Sequence, residues 1–216
     1  MNDPQEQLEQ IRNMMDKSTR FISLSGLAGV FAGFFALVGA AAFYIFVNKN
    51  LNYGYTEFAR NVPINISLDF TRFVIIDALL VLVLSIGFAV FFTTKNAKSK
   101  GQEIWNSSAK RMLFHLSVPL VAGGIYCIIL LRYGWFGMIA PTTLIFYGLA
   151  LLNASKYTLD EIKWLGISEI ILGLIGCNFI GFGITFWAIG FGVLHIFYGL
   201  MMYAKYEAKT SAKKYW

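Results

Sequence analysis

The chain has 216 residues, of which 57% are hydrophobic and only 14% charged, and its net charge is +6. Soluble domains carry roughly a quarter charged residues, so too little polar sequence is present to surface an ordinary globular domain. Long apolar stretches separated by short charged ones are the pattern of a polytopic membrane protein, and the dispersed basic residues argue against nucleic acid as a partner.

In chain order, residues 1–20 predict a short amphipathic helix. Asp3 can cap it, Pro4 takes the first helical position, and Leu8, Ile11 and Met15 share one face. Such a helix either lies in the membrane interface or docks on a partner. The polar, acidic start is unlike a signal peptide, so the first span is expected to stay in the mature protein. Six stretches then have the length and apolarity to cross a bilayer at about 1.5 Å per residue. They lie near Phe21–Val47, Phe73–Thr94, Met112–Leu131, Trp135–Asn153, Trp164–Phe182 and Ile184–Tyr203. The outer link 48–72 holds an N-I-S sequon at Asn65, a three-residue match of little weight. Thr158 and Glu161 are spaced as a capping box for the fifth helix, and Gly181 and Gly183 are the breakers between spans five and six. The expected fold is all-α: three helical hairpins forming a six-span domain over 21–203, then a basic tail over 204–216.

Orientation follows from charge. With the N-terminus cytoplasmic, 14 of the 18 basic residues fall on the inside, and only Lys49, Arg60, Arg72 and Arg132 fall outside. The positive-inside rule then predicts that both termini are cytoplasmic.

The pentapeptide IFYGL occurs twice, at Ile145–Leu149 and Ile196–Leu200, 51 positions apart. The same shift places Ser117 on Ser168 and Ile129 on Ile180, so residues 112–156 and 163–207 read as a repeated hairpin. Convergence at a membrane boundary, where Tyr is favoured, is the alternative explanation of the pentapeptide. A third copy would begin at Leu24, with Ser25 and Gly33 spaced like Ser168 and Gly176. Hairpins repeated in one orientation differ from the inverted repeats of many secondary transporters.

The opening run KSTRFISLSGLAGVFAG and the closing run NASKYTLDEIKWLGISEIILGLIG…FWAIGFGVLHIFYGL resemble a group of uncharacterised bacterial membrane proteins of about this length. That resemblance implies six spans in a bacterial inner membrane, and no activity. The Gly-rich hairpins are also similar, more loosely and in architecture alone, to the HdeD-like acid-resistance membrane proteins.

Among common catalytic signatures, GxxxxGK[ST], HExxH, CxxC and GxSxG are all missing. Cys127 and Cys177 lie in apolar runs without metal-ligand spacing and read as packing residues. No cofactor or metal is implied, and nothing supports an enzyme. The candidates for chemistry are polar residues inside the spans, which are costly there and tend to find partners. Glu169 lies about 7–8 Å into span five and His195 about 12 Å from the same boundary in span six, so the two are expected to meet. Such a pair either pins two helices together or relays a proton.

Asp77 and Arg132 share the outer level and are expected to pair, with a solute-binding carboxylate as the alternative for Asp77. His115 sits near the inner interface, four residues before Pro119, whose ring should free the His115 carbonyl from the helix ladder. Pro141 is expected to act likewise on Gly137, with Thr142 and Thr143 compensating. Asn178 reads as interhelical glue. Ser25, Gly29 and Gly33 form a small-residue ridge that lets helices approach closely, within the chain or as a homo-oligomer contact through span one. The function these features favour is a non-enzymatic structural, stress-related or regulatory membrane component embedded in the lipid bilayer. The alternative is a small transporter or channel with a proton-linked path through Glu169 and His195.

Overall fold

The computed structural model describes residues 20–50, 55–60, 68–101 and 104–208. The expected helix before residue 20, the sequon at Asn65 and the tail beyond 208 lie outside the described residues. Those residues form long helices. We name them α1 (Gly26–Asn50), a short α2 (Tyr55–Arg60), α3 (Leu68–Ser99), α4 (Ser107–Arg132), α5 (Ile139–Ala154), α6 (Asp160–Asn178) and α7 (Gly183–Tyr206). A 3₁₀ turn at Phe136–Met138 leads into α5. The helix α7 is α-helical over Gly183–Trp187, π-helical over Ala188–Leu194 and α-helical again over His195–Tyr206.

Among the described residues five of these, α1, α3, α4, α5 with its flanking turns, and α7, are long and apolar enough to cross a membrane. The sixth, α6, has 19 residues, about 28 Å of helix. It carries Asp160, Glu161 and Lys163 in its first turn and Glu169 further in, which makes it the least apolar of the set.

Turn chemistry sets the boundaries. Asn106 caps α4, its side chain accepting from Ala109 N at 2.8 Å. Gly134, at φ 75°, reverses the chain after α4, and Gly181, at φ 106°, does so after α6. The expected break at Gly181 is therefore where the backbone needs glycine. Gly183 instead opens α7.

Three sequence expectations are corrected. The first helix starts at Gly26 rather than Phe21, because residues 21–25 are held in a non-helical segment by bonds to remote parts of the chain. Phe21 N donates to Tyr157 O at 2.7 Å, and Asn96 Nδ2 donates to Ser23 O at 3.0 Å. The capping box does not form: Thr158 Oγ1 donates to Phe21 O instead, and α6 begins after Leu159 with no side-chain cap. Pro141 sits in the first turn of α5, where a missing N–H breaks no ladder bond, so it does not kink the helix.

Packing is uneven. The helix α5 lies against both α4 and α6, and α1 lies against both α3 and α7. Aromatic rings zip α1 to α3, with centroids 5.0 Å apart for Phe35–Phe88 and 3.9 Å for Phe46–Phe73. None of the most apolar stretch of α3 is buried, so its leucines and isoleucines face outward.

The α1–α7 and α5–α6 contacts are built alike. A methyl group added at Gly26 would strike Gly199 O and Tyr203 N, and one at Gly166 would strike Gly148 O and Leu152 N. Gly33 faces Gly192 O and Ile196, as Gly173 faces Pro141 O and Ile145. Every partner on α7 is 51 positions beyond its counterpart on α5, and every position on α6 is 140 beyond its counterpart on α1. This offset differs from the alignment of Ser25 and Gly33 with Ser168 and Gly176 expected from the sequence. The small-residue ridge of α1 is thus occupied within the chain, by α7.

At one end of the bundle a charged rim ties the segments together. The Glu207 carboxylate accepts from Gly26 N at 2.6 Å and from Ser25 Oγ at 3.1 Å, so it caps α1 from the far end of the chain. Lys205 Nζ and Glu161 Oε1 lie 2.6 Å apart, and the Tyr206 hydroxyl donates to the same carboxylate. Arg20 reaches Asp160 at 3.0 Å. Lys100 donates to Ile22 O at 3.5 Å, and burial holds its ammonium below the ordinary lysine value while Glu207 opposes the shift.

Candidate functional site: a buried Glu–His–Tyr cluster

Glu169 lies on the third turn of α6 and His195 at the point where α7 returns from π to α geometry. The chain buries both: Glu169 is 0% exposed and His195 6%. His195 Nδ1 is 3.4 Å from Glu169 Oε1 and 3.0 Å from Gly190 O. A carbonyl only accepts, so Nδ1 carries a proton, and the ring reaches back five residues along the π segment to place it. Nε2 then faces the Tyr147 hydroxyl of α5 at 2.8 Å. In the neutral ring Nε2 accepts from Tyr147, and in the imidazolium it donates.

The carboxyl group is the unusual member. Neither Glu169 oxygen has a hydrogen-bond partner among the described residues, although buried polar groups are nearly always satisfied. The closest donor, Nδ1–H, is aimed at Gly190 O. Because Nδ1 carries a proton in both ring states, the nitrogen that gains or loses one is Nε2, which faces Tyr147 rather than Glu169.

Local sequence explains the fit. Gly190 lies flat against Glu169, and a methyl group there would collide with Glu169 Oε2 and Leu144. The next glycine, Gly192, admits Leu37 of α1 on the other side. Trp187, Phe191 and His195 follow at four-residue spacing and wall the cluster. Phe191 lies 4.8 Å from Tyr147 and 5.8 Å from His195 between ring centroids. The cavities described below and on α3 do not include Glu169, His195 or Tyr147 in their linings.

The other candidate residues sit elsewhere. His115 Nε2 is 3.0 Å from the Tyr157 hydroxyl with the rings stacked, and its freed carbonyl accepts from Asn153 Nδ2 at 3.0 Å. That is the vacancy expected beneath Pro119. No ion pair joins Asp77 to Arg132 among the described residues, because α3 packs on α1 while α4 packs on α5. Asp77 instead faces Gly39 of α1. Asn178 ends α6, exposed, and donates to Leu174 O of its own helix at 3.1 Å, so it joins no second helix. Ser25 belongs to the rim with Glu207, while Gly29 and Gly33 carry the α7 contact.

Tyr147 and Gly190 are part of the site and were not singled out by the sequence. Tyr147 lies inside the first IFYGL, where its hydroxyl looked like an interface anchor. The run AIGFGVL gives no advance sign of a π-helix, a form often found at functional sites.

By length and composition the apolar helices point to a membrane-embedded protein in contact with lipid. No known protein family, curated protein or solved structure matches it.

Proposed function

We propose that the chain is a non-enzymatic structural or regulatory component of a bacterial inner membrane, with six spans and both termini cytoplasmic. In this reading α6 also crosses the membrane, as the fifth span, and the charged rim is the cytoplasmic face where most of the basic residues gather. The 51-residue shift is a true hairpin repeat, with α6–α7 and α1–α3 as further copies. The matching glycine contacts support it. The Glu169–His195–Tyr147 cluster is the joint that fixes α5, α6 and α7 to one another.

One observation carries the reading. Glu169 is fully buried against Gly190 and walled by aromatic rings, whereas Asp77 lies across the bundle on the α1–α3 side. The ionisable groups thus sit in separate environments and do not line one polar path.

A second reading, a small proton-linked transporter, is favoured by a specific comparison. At the α1–α7 contact the position matching Glu169 is Gly29, and close packing is achieved there without any carboxyl group. Packing alone does not call for Glu169. Reconstituted Glu169→Gln and His195→Gln variants separate the two readings. The structural reading expects each to lower thermal stability in lipid nanodiscs, with no proton flux in wild-type liposomes under a pH gradient. Flux in the wild type that vanishes in a fully stable Glu169→Gln variant would overturn it.

A further inference from the structure

A second site lies between α1 and α3, away from the cluster and independent of it. A groove of about 340 Å³ opens there toward the lipid, lined by Phe35, Val38 and Ala42 of α1 and by Phe73, Asp77 and Leu80 of α3, among others. The volume falls within the usual range for small-molecule sites, which are mostly apolar with a few placed polar groups. Asp77 is the single charged residue in the lining. Its depth follows from helix geometry: it is five residues inside Arg72 and eighteen before Lys95, about 7–8 Å and about 27 Å along α3. Arg72 and Lys95 themselves are separated by about the thickness of a hydrocarbon core.

A carboxylate at that depth ordinarily has a partner. Among the described residues Asp77 has no hydrogen bond and no ion pair. Its neighbour Arg72 is turned to Asp69 at 3.8 Å, and Arg132 belongs to the α4–α5 side of the bundle. What faces the carboxylate across the groove is Gly39, whose missing side chain makes room for Val81 beside it. Phe35 and Phe73 line the same groove, and aromatic rings attract cations.

An apolar slot, open to lipid, with one unpaired negative charge and two aromatic rings, has the complement of a molecule that is apolar in body and positive in charge. We propose that this groove binds lipophilic organic cations, held by Asp77 and selected by the apolar lining. Charge complementarity makes a cation the occupant, and the position within the hydrocarbon region makes it a lipophilic one.

The test uses the full chain in nanodiscs of zwitterionic lipid, with radiolabelled tetraphenylphosphonium as the probe in equilibrium dialysis. The expected result is saturable binding of about one probe per chain. It should weaken at least tenfold in Asp77→Asn, and equally in Ala42→Phe, which fills the groove but keeps the carboxylate. Circular dichroism and elution volume check that both variants stay folded, and the Ala42→Phe result stands even if Asp77→Asn does not fold. Binding no greater than to empty discs, or unchanged in Ala42→Phe, overturns the proposal.

Discussion

At the scale of single residues, the chemistry is set by who can donate to whom. Tyr147→Phe removes the only group among the described residues that is hydrogen-bonded to His195 Nε2. Leaving a buried acceptor unpaired should lower stability by about 1–3 kcal/mol, readable as a fall in thermal midpoint in nanodiscs. Gly190→Ala should cost about 1–3 kcal/mol through overpacking, because the added methyl meets Glu169. Combining it with Glu169→Ala should recover part of that loss, and a double-mutant cycle measures the coupling. Additive losses would show that Gly190 and Glu169 do not touch. The meeting of Glu169 and His195 was legible in the sequence, since equal depth on neighbouring helices leaves few alternatives. Tyr147 was not, because its placement depends on how α5 crosses α7, and no spacing within one helix encodes that. The Asp77–Arg132 pairing failed for the same reason. Depth placed the two at one level but could not say that their helices lie on different sides of the bundle.

At the scale of elements, glycine position decides which helices can touch. Gly148 and Gly199 occupy the same place in the α5–α6 and α1–α7 contacts. Gly148→Val and Gly199→Val should therefore do comparable damage, each at least about 1–3 kcal/mol, as expected for overpacking. Comparable protease sensitivity in the two variants checks this; a tolerated Gly199→Val would separate the two interfaces. Helix number and extent were readable from hydropathy to within a few residues at most ends. The start of α1 was misplaced by five residues, because hydropathy cannot distinguish an apolar helix from an apolar non-helical segment. What holds residues 21–25 out of the helix is their bonding to Tyr157, Thr158 and Asn96, all remote in sequence. The capping box failed through the same contact, which diverts the Thr158 hydroxyl to Phe21 O. The vacancy under Pro119 was foreseen because it is a purely local consequence of the proline ring, although its filling by Asn153 was not.

At the scale of the whole molecule, two devices hold the helices in one body: the charged rim at one end and the buried cluster within. Glu207 belongs to the first and caps α1 from 181 residues away. Glu207→Ala should cost about 1–2 kcal/mol, as loss of a helix cap does, and should increase hydrogen exchange at the amides of Gly26 and its neighbours. An unchanged exchange rate there would mean that the rim does not order α1. The second device carries the central claim, that Glu169 is sealed in a dry contact among α5, α6 and α7. The most direct measurement is labelling by an apolar carbodiimide, which reacts with protonated carboxyl groups it can reach. Purified protein in lipid would be labelled between about pH 5 and 8, where histidine titrates, and mapped by mass spectrometry with Glu169→Gln and His195→Ala as controls. The account predicts that Glu169 stays unlabelled across that range in the intact bundle and becomes reactive only when the protein is unfolded. Labelling of Glu169 in the folded protein that follows pH and shifts in His195→Ala would contradict it and make the cluster an accessible proton site.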